Sequence, residues 1–485
     1  MNFPDVRPRI LFRTDGDSQI GLGHLIRCTA LARNISQGFL AIFFCRSIPE
    51  ALKQELASFD LNLKEIQHEE QFFSAVEKGC TVVVDGYNFD SVYQKKLADK
   101  GALIVVVDDL YQGKFNADAI INHALGVLPE NYNAMPFTQL CLGTKYALLR
   151  PEFLQLQDRE SEKNAGLSLL ICFGGADPLN LTLRALDVAA EFPQIDEIRI
   201  VVGAAYQFRE ELSQKISEMS RKIQLLESLN PSEMARVMSL STHAIVPCSG
   251  TLLEALSAKL VVISGYYAEN QRQFYSGFRH ARAFADAGQF EPDNIRIALK
   301  STLSIRRSSF QGIDSEIPGR FQRFFGSLEK QKEISLRRAD HADDKLTYKW
   351  GNDPLIRRHS FTKDHIPFEE HKKWFEGKIS STDCVFLIAE YQQEPVGSVR
   401  FDLNEGNVAV ISYLIDPSFH GKGLGLPVLR SAIKHLAENF SELSSIIGYV
   451  MKENLASSVI FRKLGFTEEV LSDRIKFTRN WKNEK

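Results

Sequence analysis

The sequence predicts two doubly wound α/β lobes in tandem, followed by a separate α+β domain. Three observations carry this. Short, nearly continuous apolar runs alternate with segments of helical period through residues 1–150. The same rhythm starts again over 151–325. Beyond 333 it gives way to clustered strands and tight turns. Length agrees, because 485 residues exceed what a single core spans, about 250–300 residues.

In the first lobe, strands are expected at 10–14, 40–45, 81–85, 103–108 and 119–122, with helical periods at 25–35 and 91–100. The runs are apolar throughout rather than alternating, as in parallel strands covered on both faces. In the second lobe, strands fall at 167–173, 197–202, 223–226, 244–246 and 260–263. Its helices fall at 180–191, 207–220, 231–238, 251–257 and 271–278. The polar segment 149–164, containing Pro151, reads as the crossing between them. Two Rossmann-like lobes of this kind leave a cleft, with ligand at the carboxyl ends of both sheets.

The charged stretch 325–333 reads as a flexible linker. In the domain 334–485 the strands 384–391, 396–403 and 408–415 are separated by Gln-Gln-Glu-Pro and Asn-Glu-Gly turns, and a helix follows at 426–440. That is an antiparallel sheet with a helix against it.

A hydrophobic fraction of 44% and a charged fraction of 25% suit a soluble globular protein. The net charge of −3 gives no basis for nucleic acid or an anionic membrane as partner, so any anionic ligand must be held by local groups. The seven cysteines are scattered, form no CxxC, and have no metal-ligand spacing with histidine. Buried thiols in a reducing compartment, without a metal, are expected. The N-terminus has no apolar signal core and no stretch is long enough to span a membrane, so a cytoplasmic location is expected.

Residues 10–32 are the most informative. An apolar run, 10–12, leads to Gly21-Leu22-Gly23, and His24 stands where a helix should begin. Strand, glycine turn and helix N-terminus together make an anion site. A histidine there can do acid–base work, or merely cap the helix. In the second lobe, Cys172-Phe173-Gly174-Gly175-Ala176-Asp177-Pro178 ends a strand in two glycines, with Pro178 suited to the first helical position. Its backbone donors suit a diphosphate. Cys248-Ser249-Gly250-Thr251-Leu252-Leu253-Glu254 opens another helix, and Glu254 falls one turn inside it, where a carboxylate can accept from a ribose diol. The spacing Thr251 to Glu254 equally fits a capping box. Ala268-Glu269-Asn270-Gln271 is a polar strand-to-helix junction, also readable as capping.

In this order, and over about residues 8–325, these strings resemble the UDP-sugar hydrolases of pseudaminic acid biosynthesis, which share a GT-B fold with the glycosyltransferase that makes lipid II. The resemblance implies hydrolysis of UDP-2,4-diacetamido-2,4,6-trideoxy-β-L-altropyranose to UDP and the free sugar, with inversion and no required metal. It implies His24 as the base acting on water, Ser249, Gly250 and Thr251 at the diphosphate, Glu254 at the ribose, and Asn270 at the sugar or phosphate. Gly23, Gly174, Gly175 and Gln271 complete the expected substrate-binding set. Asp15, which with Asp17 flanks Gly16, is added from the residues alone: it can orient His24 or a sugar hydroxyl, and turn geometry explains it equally.

Near the C-terminus, Ile411-Ser412-Tyr413-Leu414-Ile415-Asp416-Pro417 precedes His420-Gly421-Lys422-Gly423-Leu424-Gly425 and a helix. A strand, glycine turn and helix again suit a pyrophosphate. The later string YVMKENLASSVIFRKLGF, residues 449–466, supplies an asparagine, a helix and Leu-Gly-Phe. Over about 334–485 the chain resembles the GNAT N-acetyltransferases. The resemblance implies acetyl-CoA as cosubstrate, with the backbone of Gly421, Lys422, Gly423, Leu424 and Gly425 on its diphosphate. Lys422 adds charge at the rim, the edge Leu414–Ile415 lies along pantetheine, and Asn454 contacts the cofactor arm. Two departures stand out. His420 replaces the family's Gln or Arg. Phe461 stands where many members carry a Tyr that protonates the departing thiolate, so the thiolate leaves unaided or Tyr449 or Tyr413 serves.

Trp350, Asn352, Asp353 and Pro354, followed by the Glu-Glu-His-Lys-Lys-Trp segment, look like the sugar-nucleotide N-acetyltransferases of the same pathway, and a similar stretch occurs in ribosomal-protein N-terminal acetyltransferases. Trp350 and Trp374 also read as plain core or lid residues. Together the resemblances imply a bifunctional enzyme of two consecutive steps. Its partners would be a UDP-linked amino sugar, acetyl-CoA and water, with no nucleic acid and no membrane. A GT-B glycosyltransferase fused to an acetyltransferase, and a hydrolase carrying a non-catalytic acetyl-CoA sensor, are the alternatives.

Overall fold

The five expected strands of the first lobe form one parallel sheet, joined by two edge strands that the apolar runs did not announce, Asn62–Glu65 and Gln139–Leu142. A computed structural model describes residues 6–17, 21–156 and 166–480. Its first sheet runs in the order Asn62–Glu65, Leu40–Cys45, Arg9–Thr14, Thr81–Asp85, Leu103–Val107, Ala119–Asn122, Gln139–Leu142, every pair parallel. The second sheet repeats the plan: Ile223–Glu227, Ile195–Val202, Leu167–Ile171, His243–Pro247, Val261–Gly265, Ala285–Asp286, again all parallel. Strand order reverses beside Arg9–Thr14 in one lobe and beside Leu167–Ile171 in the other. Such a reversal splays the neighbouring loops apart and opens a crevice at the carboxyl ends. In the first lobe the register Thr14↔Asp85 brings the two bordering strand ends level.

The lobes meet over close contacts. A Cβ added to Gly277, on the helix Arg272–His280, would stand 1.9 Å from the carbonyl oxygen of Leu125. The ring of His123 lies edge-on to Phe274, 5.5 Å between centroids. Of the expected crossing 149–164, the helix Pro151–Leu154 is described and Phe153 is fully buried, while 157–165 lie outside the described residues.

The stretch 325–333 is not a linker. It is the second half of a helix, Ile317–Lys332, whose buried face is Ile317, Phe321, Phe324, Phe325, Leu328 and Gln331. The spacing of three and four residues makes one apolar stripe, and the charged residues between occupy the solvent side. Phe39, in the first lobe, packs on Phe325, 5.8 Å between ring centroids. The helix therefore returns to the first lobe after the second lobe is complete.

The third unit has a seven-stranded sheet in the order Ile334–Arg338, Cys384–Tyr391, Glu394–Asn404, Val408–Ile415, Ser445–Met451, Arg474–Asn480, Thr467–Val470. All pairs are antiparallel except Val408–Ile415 with Ser445–Met451. This parallel pair holds only from Val408↔Ser445 to Ile411↔Gly448. Beyond it the strands part. The unit is docked rather than tethered: Phe137 of the first lobe is buried in its core, and Arg430 donates to Gln139 Oε1 at 3.2 Å. Gln139–Leu142 is the edge strand of the first sheet, and covering it removes an unpaired edge. Among the described residues no helix is long and apolar enough to cross a membrane. The cysteines are all free, and all but Cys80 are buried.

Candidate functional sites

After Thr14 the chain turns through Asp15-Gly16-Asp17 to Gly21, whose φ of +86° favours glycine, and the helix Gly23–Ile35 begins. The cap residue Leu22 contributes no side-chain hydrogen bond and the first turn of the helix carries no acid. A Cβ at Gly23 would meet nothing within 4 Å. His24 does not cap the helix. Its Nδ1 lies 2.7 Å from Asp85 Oδ1.

Asp85 is fully buried at the end of Thr81–Asp85. It accepts from Arg27 Nη2 and Nε at 2.6 Å each, and from the Cys28 thiol at 3.4 Å. Burial alone would raise its pKa, yet Arg27 and then His24 outweigh that and hold the carboxyl well below its ordinary value. It is therefore an anion, and an anion accepts only. A proton on His24 Nδ1 is accepted by this carboxylate, the tautomer in which Nε2 is the basic nitrogen; Arg27 Nη2 also stands 3.1 Å from Nδ1. Arg27 continues to Asp109 Oδ2 at 3.0 Å.

Tyr87, just beyond Asp85, lies edge-on to His24, ring centroids 5.0 Å apart. From the second lobe, Asn270 Nδ2 approaches Tyr87 Oη at 3.5 Å, a limiting length. The structure thus brings His24 and Asn270 to one place, where the lobes face each other. Asp85, Arg27 and Tyr87 were missed by sequence reasoning. Asp85 carried one signal, as the acid that ends the run Val82-Val83-Val84.

The other expected residues divide. Gly174 has φ +87°, and a Cβ there, at Gly175 or at Gly250 would meet nothing within 4 Å. Gly250 opens the helix Gly250–Ser257 with its backbone accessible, whereas the helix after Gly174 and Gly175 begins only at Leu181, its Leu181 and Thr182 amides donating to the buried Asp177 at 2.9 and 2.7 Å. Ser249 is the N-cap of Gly250–Ser257, its Oγ accepting from Thr251 N at 3.4 Å. Gln271 accepts from Tyr267 N at 3.1 Å and stitches its own loop. Glu254 is buried, and its Oε1 is 2.7 Å from Arg150 Nη2. Burial raises its pKa and Arg150 pulls the other way, the net being a rise. Asp15 does not orient His24. Its Oδ1 accepts from the backbone of Arg46 and Ser47 at 2.6 and 3.2 Å, and its Oδ2 pairs with Arg13 at 2.8 Å. The orienting acid is Asp85.

In the third unit the parallel ladder ends at Ile411↔Gly448, so among the described residues Leu414 and Ile415 have no strand partner on that side. Beside it stand Gly421 and Gly423, φ +77° and +74°, and the helix Gly425–Asn439. A Cβ on Gly421 would meet nothing within 4 Å, and the helix has no acid in its first turn. A splayed strand edge leading to an uncapped glycine turn fits an extended chain that ends in a diphosphate. The Lys422 ammonium lies 4.3 Å over the Phe419 ring. His420 Nε2 is 2.9 Å from the Ile415 carbonyl, so this ring ties the loop back to the strand. Asn454 caps the helix Leu455–Lys463 through Ser457 N at 3.1 Å. Phe461 is buried, stacked on Phe477 with centroids 5.0 Å apart. Tyr413 donates to Ser457 Oγ at 3.0 Å, and burial pushes its phenol up to about 12. Trp350 is buried and donates to Asp416 Oδ2 at 2.7 Å, whereas Trp374 is partly exposed beneath Arg400.

Two parallel-sheet lobes facing each other over a His–Asp pair, and a mixed sheet that splays beside a glycine turn, define a fusion of a two-lobed α/β unit with an acyltransferase fold. Comparison with known proteins agrees. Residues 333–467 match the family described as acetyltransferase (GNAT) domain. The UDP-2,4-diacetamido-2,4,6-trideoxy-β-L-altropyranose hydrolase of Campylobacter jejuni is 29% identical over 269 residues, 54% of this chain and 93% of that protein. The spore coat polysaccharide biosynthesis protein SpsG of Bacillus subtilis is 25% identical over 318 residues, covering 61% and 91%. An uncharacterized protein of Methanocaldococcus jannaschii is 23% identical over 478 residues, 94% of this chain and 96% of its own length. The chain therefore joins an N-terminal part homologous to the Campylobacter hydrolase and SpsG to a C-terminal GNAT domain.

Proposed function

We propose that the chain is a bifunctional enzyme acting twice on one UDP-linked amino sugar in pseudaminic acid biosynthesis. The GNAT domain transfers an acetyl group from acetyl-CoA to the 4-amino group. The two-lobed unit then hydrolyses UDP-2,4-diacetamido-2,4,6-trideoxy-β-L-altropyranose to UDP and the free sugar. The His24–Asp85 pair at the switch point of the first sheet carries this reading.

In hydrolysis, Asp85 holds the proton on His24 Nδ1, and Nε2 takes a proton from the water that attacks the anomeric carbon. Such general-base help is worth about 10²–10⁴ in rate. UDP departs as a stable anion. The turns at Gly23, Gly174, Gly175 and Ser249–Thr251 receive its charge on backbone N–H groups fixed before the reaction, which avoids reorganisation at the moment of bond cleavage. Asn270 contacts the sugar or phosphate. Glu254, already holding Arg150, has a second oxygen for the ribose diol.

In acetyl transfer, acetyl-CoA supplies the activated acyl group. The chain's own residues bind and orient it: the backbone of Gly421–Gly425 takes the diphosphate, and Leu414 and Ile415 pair with the pantetheine arm. Phe461 has no proton to give. Tyr413, neutral up to about pH 12 and beside Phe461, is the proton-bearing group on the strand that borders the divergence. The likeness to the Campylobacter hydrolase supports the sugar, and the docked GNAT domain supports the order of steps.

Mass spectrometry of one incubation tests both halves. With the 4-amino UDP-sugar and acetyl-CoA, and no glycosyl acceptor, the expected sequence is the acetylated UDP-sugar, then UDP and free diacetamido sugar in equal amounts. Acetylated nucleotide sugar that accumulates without UDP overturns the hydrolase half. UDP release only on adding an acceptor replaces it by a glycosyltransferase. An unmodified amino sugar overturns the acetyltransferase half.

A further inference from the structure

The helix Ile317–Lys332 precedes the matched GNAT segment, packs on the first lobe, and ends against the glycine turn of the third unit. Lys330 Nζ donates to the carbonyl oxygen of Lys422 at 2.6 Å. The same nitrogen is 3.3 Å from where a Cβ on Gly423 would stand. Its neighbours Glu329 and Lys332 pair with each other at 2.6 Å. Among the described residues no carboxylate pairs with Lys330 or with Lys422.

An ammonium has three donors and no acceptor. One is used on a carbonyl, leaving two and a full positive charge beside a turn whose backbone is already suited to phosphate. A half-buried cation without a counter-ion is held most favourably where an anion completes it. Lys422, its own ammonium lying over Phe419, flanks the same turn. The two ammonium groups come from different units of the chain.

We propose that Lys330 is an acetyl-CoA-binding residue, contributed to the GNAT diphosphate cradle by the hydrolase-like unit. The inference rests on the acetyl-CoA site argued above. It means that the cofactor site is incomplete in a GNAT domain cut at residue 333, and that the helix lining the first lobe also forms a wall of the second active site.

Calorimetric titration of the full chain with CoA tests this independently of turnover. Lys330→Met is expected to weaken CoA binding about tenfold, the scale of one charge-assisted hydrogen bond. Lys330→Arg should keep affinity within about threefold, since it keeps the charge. Lys332→Met, which touches Glu329 rather than the turn, should bind as the parent does. With S-acetyl-pantetheine, which lacks the diphosphate, Lys330→Met and the parent should show equal KM. Unchanged CoA affinity in Lys330→Met overturns the assignment. So does an equal defect with S-acetyl-pantetheine, which would mean that Lys330 only shapes the turn. If the parent chain binds no CoA, the acetyltransferase reading falls and this inference with it.

Discussion

His24 owes its tautomer to Asp85, and the pair makes the strongest residue-level prediction. His24→Ala should abolish UDP release while leaving UDP affinity nearly intact; wild-type turnover in that variant would refute the base assignment. Asp85→Asn should lower kcat by about 10²–10⁴ with little change in UDP affinity, because an amide donor turned toward Nδ1 favours the wrong tautomer. The same change takes from the buried Arg27 one of its two carboxylate partners, Asp109 remaining at 3.0 Å, at a cost of about 1–3 kcal/mol, read as a fall in Tm. Since Arg27 and His24 hold the Asp85 carboxyl low against its burial, its contribution to stability is complete above the unfolded value near 4 and is lost only as pH falls below that. An acid limb of activity near neutrality therefore belongs to another group. His24 was legible in the sequence because strand, glycine turn and helix start are all local. Asp85 was not, because only the strand order sets Thr81–Asp85 beside Arg9–Thr14. The partners of Asp15 were hidden for the same reason: the backbone of Arg46 that it accepts from is 31 residues away.

The parallel strands were legible to within a residue or two because burial on both faces leaves no polar position to confuse the pattern. Leu40–Cys45, Thr81–Asp85 and Ala119–Asn122 fall on their expected limits. The helix Ile317–Lys332 was hidden, because Glu329, Lys330 and Lys332 crowd its last turn and the apolar stripe shows only when Phe321, Phe324, Phe325 and Leu328 are placed on one face. Two glycines in helices separate contact from propensity. Gly277→Ala would drive a methyl into the Leu125 carbonyl, force the lobes apart and cost about 1–3 kcal/mol. Gly326→Ala meets nothing within 4 Å and should stabilise by up to about 1 kcal/mol through helix propensity. Thermal unfolding of both variants checks the signs, and UDP affinity should fall in Gly277→Ala alone.

The first lobe and the GNAT unit share a core, and that changes what can be done to either. Phe137, from the first lobe, is buried among the side chains of the acetyltransferase unit, Lys434 reaches Asp118 at 3.4 Å, and Arg430 is fully buried between them. Only one nitrogen of Arg430 is satisfied, by Gln139 Oε1; Nε and Nη2 have no hydrogen-bond partner among the described residues. Burial pulls this guanidinium down to about 10 in spite of Asp118 nearby. A half-satisfied buried cation costs more than an apolar side chain of similar length, whereas removing its sole acceptor costs more still. Arg430→Met should therefore leave Tm unchanged or raise it, while Gln139→Leu should lower it by the equivalent of about 1–3 kcal/mol. Because the interface is continuous with the core, the first lobe and the acetyltransferase unit should melt in one calorimetric transition. Two separate transitions in the parent chain would mean that the docking contributes no cooperativity, and the opposite signs at Arg430 and Gln139 would then not be seen.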